Sequence, residues 1–206
     1  MINTIISAIG VYISTSIDYL LILVILFAQL HSKREKLQIY AGQYLGTAVL
    51  VSISLFAAYV VNFIPDKWIV GLLGLIPLFI GIKFALSGED EDETEEIREK
   101  IEQDKSKNLL WTVVLLTIAS GGDNLGVYIP YFSSLNWSKI IIVLIIFAIG
   151  IAILCELSRS LSKIPMVSEI IEKYEKIIVP VVFIALGIYI MYENGTIQTI
   201  VKMLGI

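Results

Sequence analysis

Six apolar runs, most of them long enough to cross a hydrocarbon core about 30 Å thick, constrain this chain more than any other feature. They extend over Ile2–Leu30, Ile39–Phe63, Trp68–Leu86, Leu109–Phe132, Ile140–Leu157 and Ile177–Tyr192. In lipid, every backbone N–H and C=O must find its partner inside the protein, so a spanning segment is a helix or part of a closed barrel. Runs this long and this continuously apolar fit helices, because barrel strands are short and alternate polar with apolar residues. The composition agrees: 57% of residues are hydrophobic and 17% charged, whereas a soluble domain carries about 25% charged residues. The expected fold class is an all-α integral membrane protein of six transmembrane helices in one polytopic domain. The first run lacks a basic leader and is too long for a signal-peptide core, so it is expected to be a mature span. Tyr59, Trp68, Trp111, Trp137 and Tyr192 fall near the ends of the runs, where interfacial aromatics sit.

Positive charge is distributed unevenly between the connections. The first, third and fifth hold Lys33, Arg34 and Lys36; Arg98, Lys100, Lys105 and Lys107; and Arg159, Lys163, Lys173 and Lys176. The second, the fourth and the C-terminal tail hold only Lys67, Lys139 and Lys202. Basic residues accumulate on the cytoplasmic side, so a multi-pass chain with both termini outside the cytoplasm is expected. The acidic stretch "EDEDETEEIREKIEQDK" then lies in a cytoplasmic loop, where it reads as a solvated linker with a short charged helix. Its carboxylates lack fixed geometry, so no ion site is assigned to it. The net charge of −4 comes mainly from this loop and gives no reason to expect a nucleic-acid partner. The single cysteine, Cys155, excludes any mechanism that needs two thiols within one chain.

The halves on either side of that loop resemble one another. Asp18 and Asp123 stand 105 residues apart, Gly46 and Gly150 are 104 apart, and Gly81 and Gly187 are 106 apart. The strings "YLGTAVL" and "AIGIAIL" correspond, as do "LFIGIKF" and "IALGIYI". The expected organisation is a first repeat over residues 1–87, an acidic loop over 88–108 and a second repeat over 109–206. Three helices make an odd number of crossings, so the second copy enters the membrane from the opposite side. Two inverted-topology three-helix repeats are a frequent architecture among secondary transporters.

The repeat gives Asp18 and Asp123 a meaning. Both fall near the middle of apolar runs, where a lipid-facing carboxylate costs at least about 2.5–3.5 kcal/mol, so both are expected to face inward at the repeat interface. Ser14 and Thr15 lie one turn before Asp18. In "ASGGDNLGVYIP", Ser120 precedes Asp123 by three residues and Asn124 follows it directly. Gly121, Gly122 and Gly126 permit an unwound backbone, and Pro130 removes a further helical hydrogen bond. Oxygens of Asp18, Asp123, Asn124, Ser120 and Thr15 can therefore build a divalent-cation site, two carboxylates balancing the charge. Without the ion one carboxylate retains a proton, which metal binding displaces, so the same group offers proton/metal antiport with the proton as counter-ion. The plainer alternative is that the Asp pair is polar glue between helices, and for Ser14, Thr15 and Ser120 it is ordinary packing or back-bonding to the preceding turn.

Other polar residues read more simply. Cys155 is expected to be packed, Glu156 to pair with Arg159, Lys83 to snorkel, and His31 to be a solvated interface residue. The glycines at 42, 46, 74, 81, 150 and 187 are expected to be helix-packing notches. One His, one Cys and no nucleophile–base pair make an enzyme the least favoured class.

Taken together, "YISTSIDYLLIL", "QIYAGQYLG", "WIVGLLGLIPLFIGIKFAL", "ASGGDNLGVYIPYF" and the tail "ENGTIQTI" resemble the CadD-type cadmium resistance transporters of the LysE superfamily. The resemblance runs over nearly the whole chain. It implies a LysE-like transporter fold in a bacterial plasma membrane, and efflux of Cd²⁺ or a related ion such as Zn²⁺ as transported substrate. No permanent cofactor is expected; lipid and protons are the expected partners, with room for a homodimer. Asp18 matches the Asp of the family's first motif, and Asp123 with Asn124 its Asp-Asn pair. Where such proteins often carry a Cys just before the Gly-x-Asp-Asn stretch, this chain has Ser120, which implies a weaker preference for soft Cd²⁺ over harder ions. The neighbouring alternative within the superfamily is an exporter of amino acids or other small solutes.

Overall fold

The computed structural model describes residues 1–28, 32–61, 63, 67–87, 109–164 and 167–203, without the side chains of Asp18, Lys67, Phe84, Ser87 and residues 167–176. The acidic loop and His31 lie outside the described residues. Among the described residues the chain is all-helical. The helices are α1 (Ile2–Ser14), α2 (Ile17–Ala28), α3 (Lys33–Val61), α4 (Lys67–Gly71), α5 (Leu75–Ser87), α6 (Leu109–Ser120), α7 (Leu125–Ser133), α8 (Trp137–Leu161), α9 (Val167–Glu193) and α10 (Thr196–Met203). A 3₁₀ turn, Leu72–Gly74, joins α4 to α5.

Two helices, α3 and α8, are each long and apolar enough to cross a membrane unbroken. The count reaches five if each bent pair forms one span: α1 with α2 at 60°, α6 with α7 at 73°, and α9 with α10 at 70°. A shorter apolar stretch, Trp68–Lys83, occupies the expected third run. The first and fourth runs thus differ from single straight spans. Each is interrupted near its middle, at Thr15–Ser16 and at Gly121–Asn124. Between α9 and α10 the turn is made by Gly195, whose φ of +71° suits a residue without Cβ. Thr196 follows, fully buried, and donates from Oγ1 to the carbonyl of Trp68 at 2.8 Å, fixing α10 against α4.

The helices cross-pack between the two halves of the chain. The α3 helix lies on α6 and α7, α8 lies on α1 and α2, and α5 lies on α9. Glycines make these approaches possible, as small residues do where lipid supplies no hydrophobic drive to helix association. A Cβ at Gly46 would meet Thr117 Cβ at 2.5 Å, and one at Gly150 would meet the Tyr12 ring at 2.6 Å. One at Gly81 would meet Ile184 at 2.9 Å, and one at Gly187 would meet Leu78 at 2.7 Å. These contacts come in matched pairs: Gly46 and Gly150 are 104 apart, Tyr12 and Thr117 are 105 apart, and Leu78 and Ile184, like Gly81 and Gly187, are 106 apart. The outward surface is apolar, with Phe56, Phe79, Leu115, Ile141, Ile153 and Val181 exposed, as befits a protein whose solvent is lipid.

Ion pairs occupy the helix ends. Glu156 of α8 receives Lys36 of α3 at 3.1 Å, the Tyr40 hydroxyl at 2.5 Å and, one turn on, Arg159 at 2.9 Å. Lys139 at the start of α8 meets Glu193 at the end of α9 at 3.1 Å. Cys155 is fully buried and Lys83 is exposed.

Gly187 offers the sharpest test of this packing, because a Cβ there would lie 2.5 Å from the Gly74 carbonyl oxygen and 2.8 Å from the Leu78 nitrogen, both backbone. Gly187→Ala is expected to lower stability by about 1–3 kcal/mol, the usual cost of overpacking. Gly10→Ala, whose Cβ would sit 3.6 Å from Val182, is expected to be neutral. Thermal unfolding of the two variants in detergent compares them directly.

Candidate functional site: a polar pocket between two helix breaks

The break in the first run follows from three consecutive hydroxyl residues. Ser14 Oγ donates to the carbonyls of Gly10 at 2.9 Å and Val11 at 3.0 Å, and Thr15 Oγ1 donates to Val11 at 2.8 Å. Such back-bonding competes with the helical ladder and bends it. The backbone N–H of Ser16 then reaches only three residues back, to Ile13 at 3.2 Å, and α2 begins afresh at Ile17. The second break is made by Gly121 and Gly122, after which Leu125, Gly126 and Val127 bond three residues back to Gly122, Asp123 and Asn124. Asp123 Oδ1 accepts the Asn124 N–H at 2.9 Å within this turn.

A break leaves carbonyls at the end of the first half-helix without their usual partners. One of these is satisfied across the molecule: Asn124 Nδ2 donates to the carbonyl of Thr15 at 2.9 Å. Thr15 Oγ1 also lies 2.9 Å from the Tyr128 hydroxyl of α7. The two breaks therefore meet, and a small polar pocket lies between them.

Most of the pocket lining comes in pairs that share one spacing. Tyr12 and Thr117, Thr15 and Ser120, Ser16 and Gly121, and Tyr19 and Asn124 all line it, and the members of each pair are 105 residues apart. The α3 helix adds Gln43, Thr47 and Leu50, and α7 adds Tyr128. Thr117 Oγ1 is 2.8 Å from Gln43 Oε1 and 3.0 Å from the Tyr19 hydroxyl, which itself points to the Val113 carbonyl at 3.4 Å. On the α8 side the pocket is backed by aromatic rings, Phe147 packing on Tyr12 at 5.3 Å and on Tyr128 at 5.4 Å between centroids. Tyr12 is 7% exposed, and its hydroxyl makes no hydrogen bond of normal geometry, although the Ser16 side chain stands close to it.

Of the residues singled out in the sequence, Thr15, Ser120 and Asn124 come together in this pocket. Asp123 sits in the second break, exposed and outside the pocket lining, one residue from Asn124. Asp18 lies in the first turn of α2, one residue before Tyr19, and its side chain lies outside the described residues. No group of three His, Cys, Asp or Glu side chains clusters among the described residues. Ser14 turns back to its own helix instead, and Cys155 does not reach the pocket. Sequence reasoning missed Tyr12, Tyr19, Gln43, Thr47, Thr117 and Tyr128. Extending the 105-residue spacing from the Asp pair to its neighbours would have found Tyr12, Thr117 and Tyr19.

An apolar, all-helical chain wrapped round a buried polar pocket, at the meeting point of two interrupted helices, has the build of a membrane transport protein. The sequence matches the cadmium resistance transporter family over residues 12–203, and the chain belongs to that family. No curated protein and no solved structure matches it.

The bond between the breaks is testable without a transport assay. Asn124→Ala removes the donor to the Thr15 carbonyl, and a buried acceptor left without a partner costs about 1–3 kcal/mol. The expected result is a lower unfolding midpoint with faster amide exchange around Thr15–Tyr19, and little change in exchange along α8.

Proposed function

We propose that this protein exports Cd²⁺, or a related divalent cation such as Zn²⁺, from the cytoplasm, by proton/metal antiport with alternating access around the pocket between the breaks. Membership of a cadmium resistance family supports the substrate class. Export supports resistance because it lowers the internal concentration of the ion. The observation that carries the reading furthest is the pocket itself, lined by residues drawn from both halves at one constant spacing. In this reading the chain is two inverted-topology repeats of three spans each, and the matched contacts of Gly46 with Thr117 and Gly150 with Tyr12 are equivalent positions of the two copies.

Asp18 and Asp123 supply the charge. Each directly precedes a pocket residue, Tyr19 or Asn124, at the same repeat position. A divalent ion arriving from the cytoplasm displaces the proton that one carboxylate holds, the pocket shifts its exposure as one repeat rocks against the other, and reprotonation from outside releases the ion. The basic ends at Lys33–Lys36 and Arg159 support a cytoplasmic side there, with both termini outside in this reading.

Everted membrane vesicles containing the protein test this reading. With the vesicle interior acidified, uptake of Cd²⁺ is expected, and collapse of the pH gradient is expected to stop it. Asp18→Asn and Asp123→Asn are each expected to abolish uptake while leaving the amount of inserted protein unchanged. Because protons and metal compete, Cd²⁺ affinity is expected to rise with pH. Gradient-driven uptake of an amino acid with no response to metals would instead favour a small-solute exporter.

A further inference from the structure

The pocket is symmetric in what the broken helices contribute and asymmetric in what the unbroken ones contribute. Gly46 of α3 and Gly150 of α8 occupy matched positions 104 residues apart, and the same offset sets Gln43 of α3 opposite Phe147 of α8, and Thr47 opposite Ile151. Gln43 and Thr47 line the pocket, whereas Phe147 and Ile151 do not. The second copy thus presents an aromatic wall where the first presents an amide.

Gln43 is 4% exposed and lines the pocket from a helix that is apolar over most of its length. Burying an amide at such a place costs free energy unless its polar atoms are used. Its Oε1 lies 2.8 Å from Thr117 Oγ1, but Thr117 has one hydroxyl proton and three acceptors in reach, the others being its own turn's Val113 carbonyl at 2.8 Å and the Tyr19 hydroxyl at 3.0 Å. Thr117 therefore cannot satisfy all three, and a carbonyl-type oxygen has two lone pairs. The buried Tyr12 hydroxyl lines the same pocket and, although the Ser16 side chain stands close, makes no hydrogen bond of normal geometry. Two under-used oxygens, one amide and one phenol, face a pocket already edged by Thr15 and Ser120.

We infer that Gln43 is an oxygen ligand of the transported cation, placed by α3 alone, and that the Gln43–Thr117–Tyr12 side of the pocket sets which cation is preferred. The inference rests on the proposed transport of a divalent ion and deepens it. Among the described residues the pocket lining holds no thiol and no imidazole, so its donor set is hard oxygen. Such a set suits ions that accept oxygen ligands and removes the advantage that thiolate gives Cd²⁺ over Mn²⁺. The close approach of Gly46 to Thr117 is what brings Gln43 within reach of the breaks.

The test is calorimetric titration of the full-length protein in detergent with Cd²⁺ and with Mn²⁺, comparing wild type, Gln43→Leu and Gln43→Cys, each first shown to be folded by thermal unfolding. Removing an amide ligand is expected to weaken binding of both ions by about tenfold or more in Gln43→Leu. Placing a thiol there is expected to raise the Cd²⁺-to-Mn²⁺ affinity ratio by about tenfold or more in Gln43→Cys. The ratio is the decisive readout, because loosened packing weakens both ions alike and does not move it. An unchanged ratio in Gln43→Cys overturns the inference, leaving Gln43 as a bridge between α3 and α6. Failure of the wild type to bind either ion overturns the transport reading itself, so the two failures are distinguishable. If Gln43→Leu does not fold, the Gln43→Cys ratio decides alone.

Discussion

The hydrogen bond from the Asn124 amide to the Thr15 carbonyl is the interaction on which the rest of this structure turns. A helix interrupted inside a bilayer exposes backbone carbonyls that no water can satisfy, and each such group costs several kcal/mol if left alone. The first and fourth runs are each interrupted, and one interruption answers the other. The Gly-rich turn at 121–124 is what allows Asn124 to leave its helical position and reach across, and the hydroxyl-rich turn at 14–16 is what leaves the Thr15 carbonyl to be reached. Polar backbone thus becomes the reason for a polar cavity, and the cavity is held by residues far apart in sequence.

The cross-packing serves the same end. Because α3 lies against α6 and α7, and α8 against α1 and α2, each broken helix is braced by an unbroken helix from the other half. Gly46 and Gly150 allow that approach, and the side chains they admit, Thr117 and Tyr12, are pocket residues. Packing and site are therefore one design: the same two contacts set the helix spacing and aim the hydroxyls. Under the proposed mechanism, relative motion of the halves changes the brace on each break, which links access to the pocket with the packing of α3 and α8. The ion pairs of Glu156 and Lys139 tie the helix ends but stand clear of the pocket.

The sequence disclosed much of this, for physical reasons that differ from residue to residue. Hydropathy alone placed helix over the apolar runs, since lipid imposes length and apolarity on any span, but it showed neither the break in the first run nor the helices beyond the runs at Val167 and Thr196–Met203. The glycines at 46, 81, 150 and 187 read correctly as notches, and Glu156 with Arg159 as a pair, because helical spacing is enough to see both. Gly121 and Gly122 pointed to the second break. The first was hidden: Ser14, Thr15 and Ser16 have no Gly or Pro beside them, and only the back-bonding of Ser14 and Thr15 shows that the helix bends there. Gln43 was equally hidden, since an amide on a long helix announces nothing until the partner helix shows which face is inward. Thr15, Ser120 and Asn124 were legible because each stands within three residues of Asp18 or Asp123, and that Asp pair stands beside the pocket lining in sequence.

In the proposed mechanism the ion sits where the two breaks meet. The most direct measurement is anomalous diffraction from crystals of the protein soaked in Cd²⁺. A dominant peak is expected between Thr15 and Asn124, within coordination distance of oxygens from both halves of the chain. Peaks confined to the helix ends around Glu156 and Glu193, with none between the breaks at saturating Cd²⁺, would contradict it.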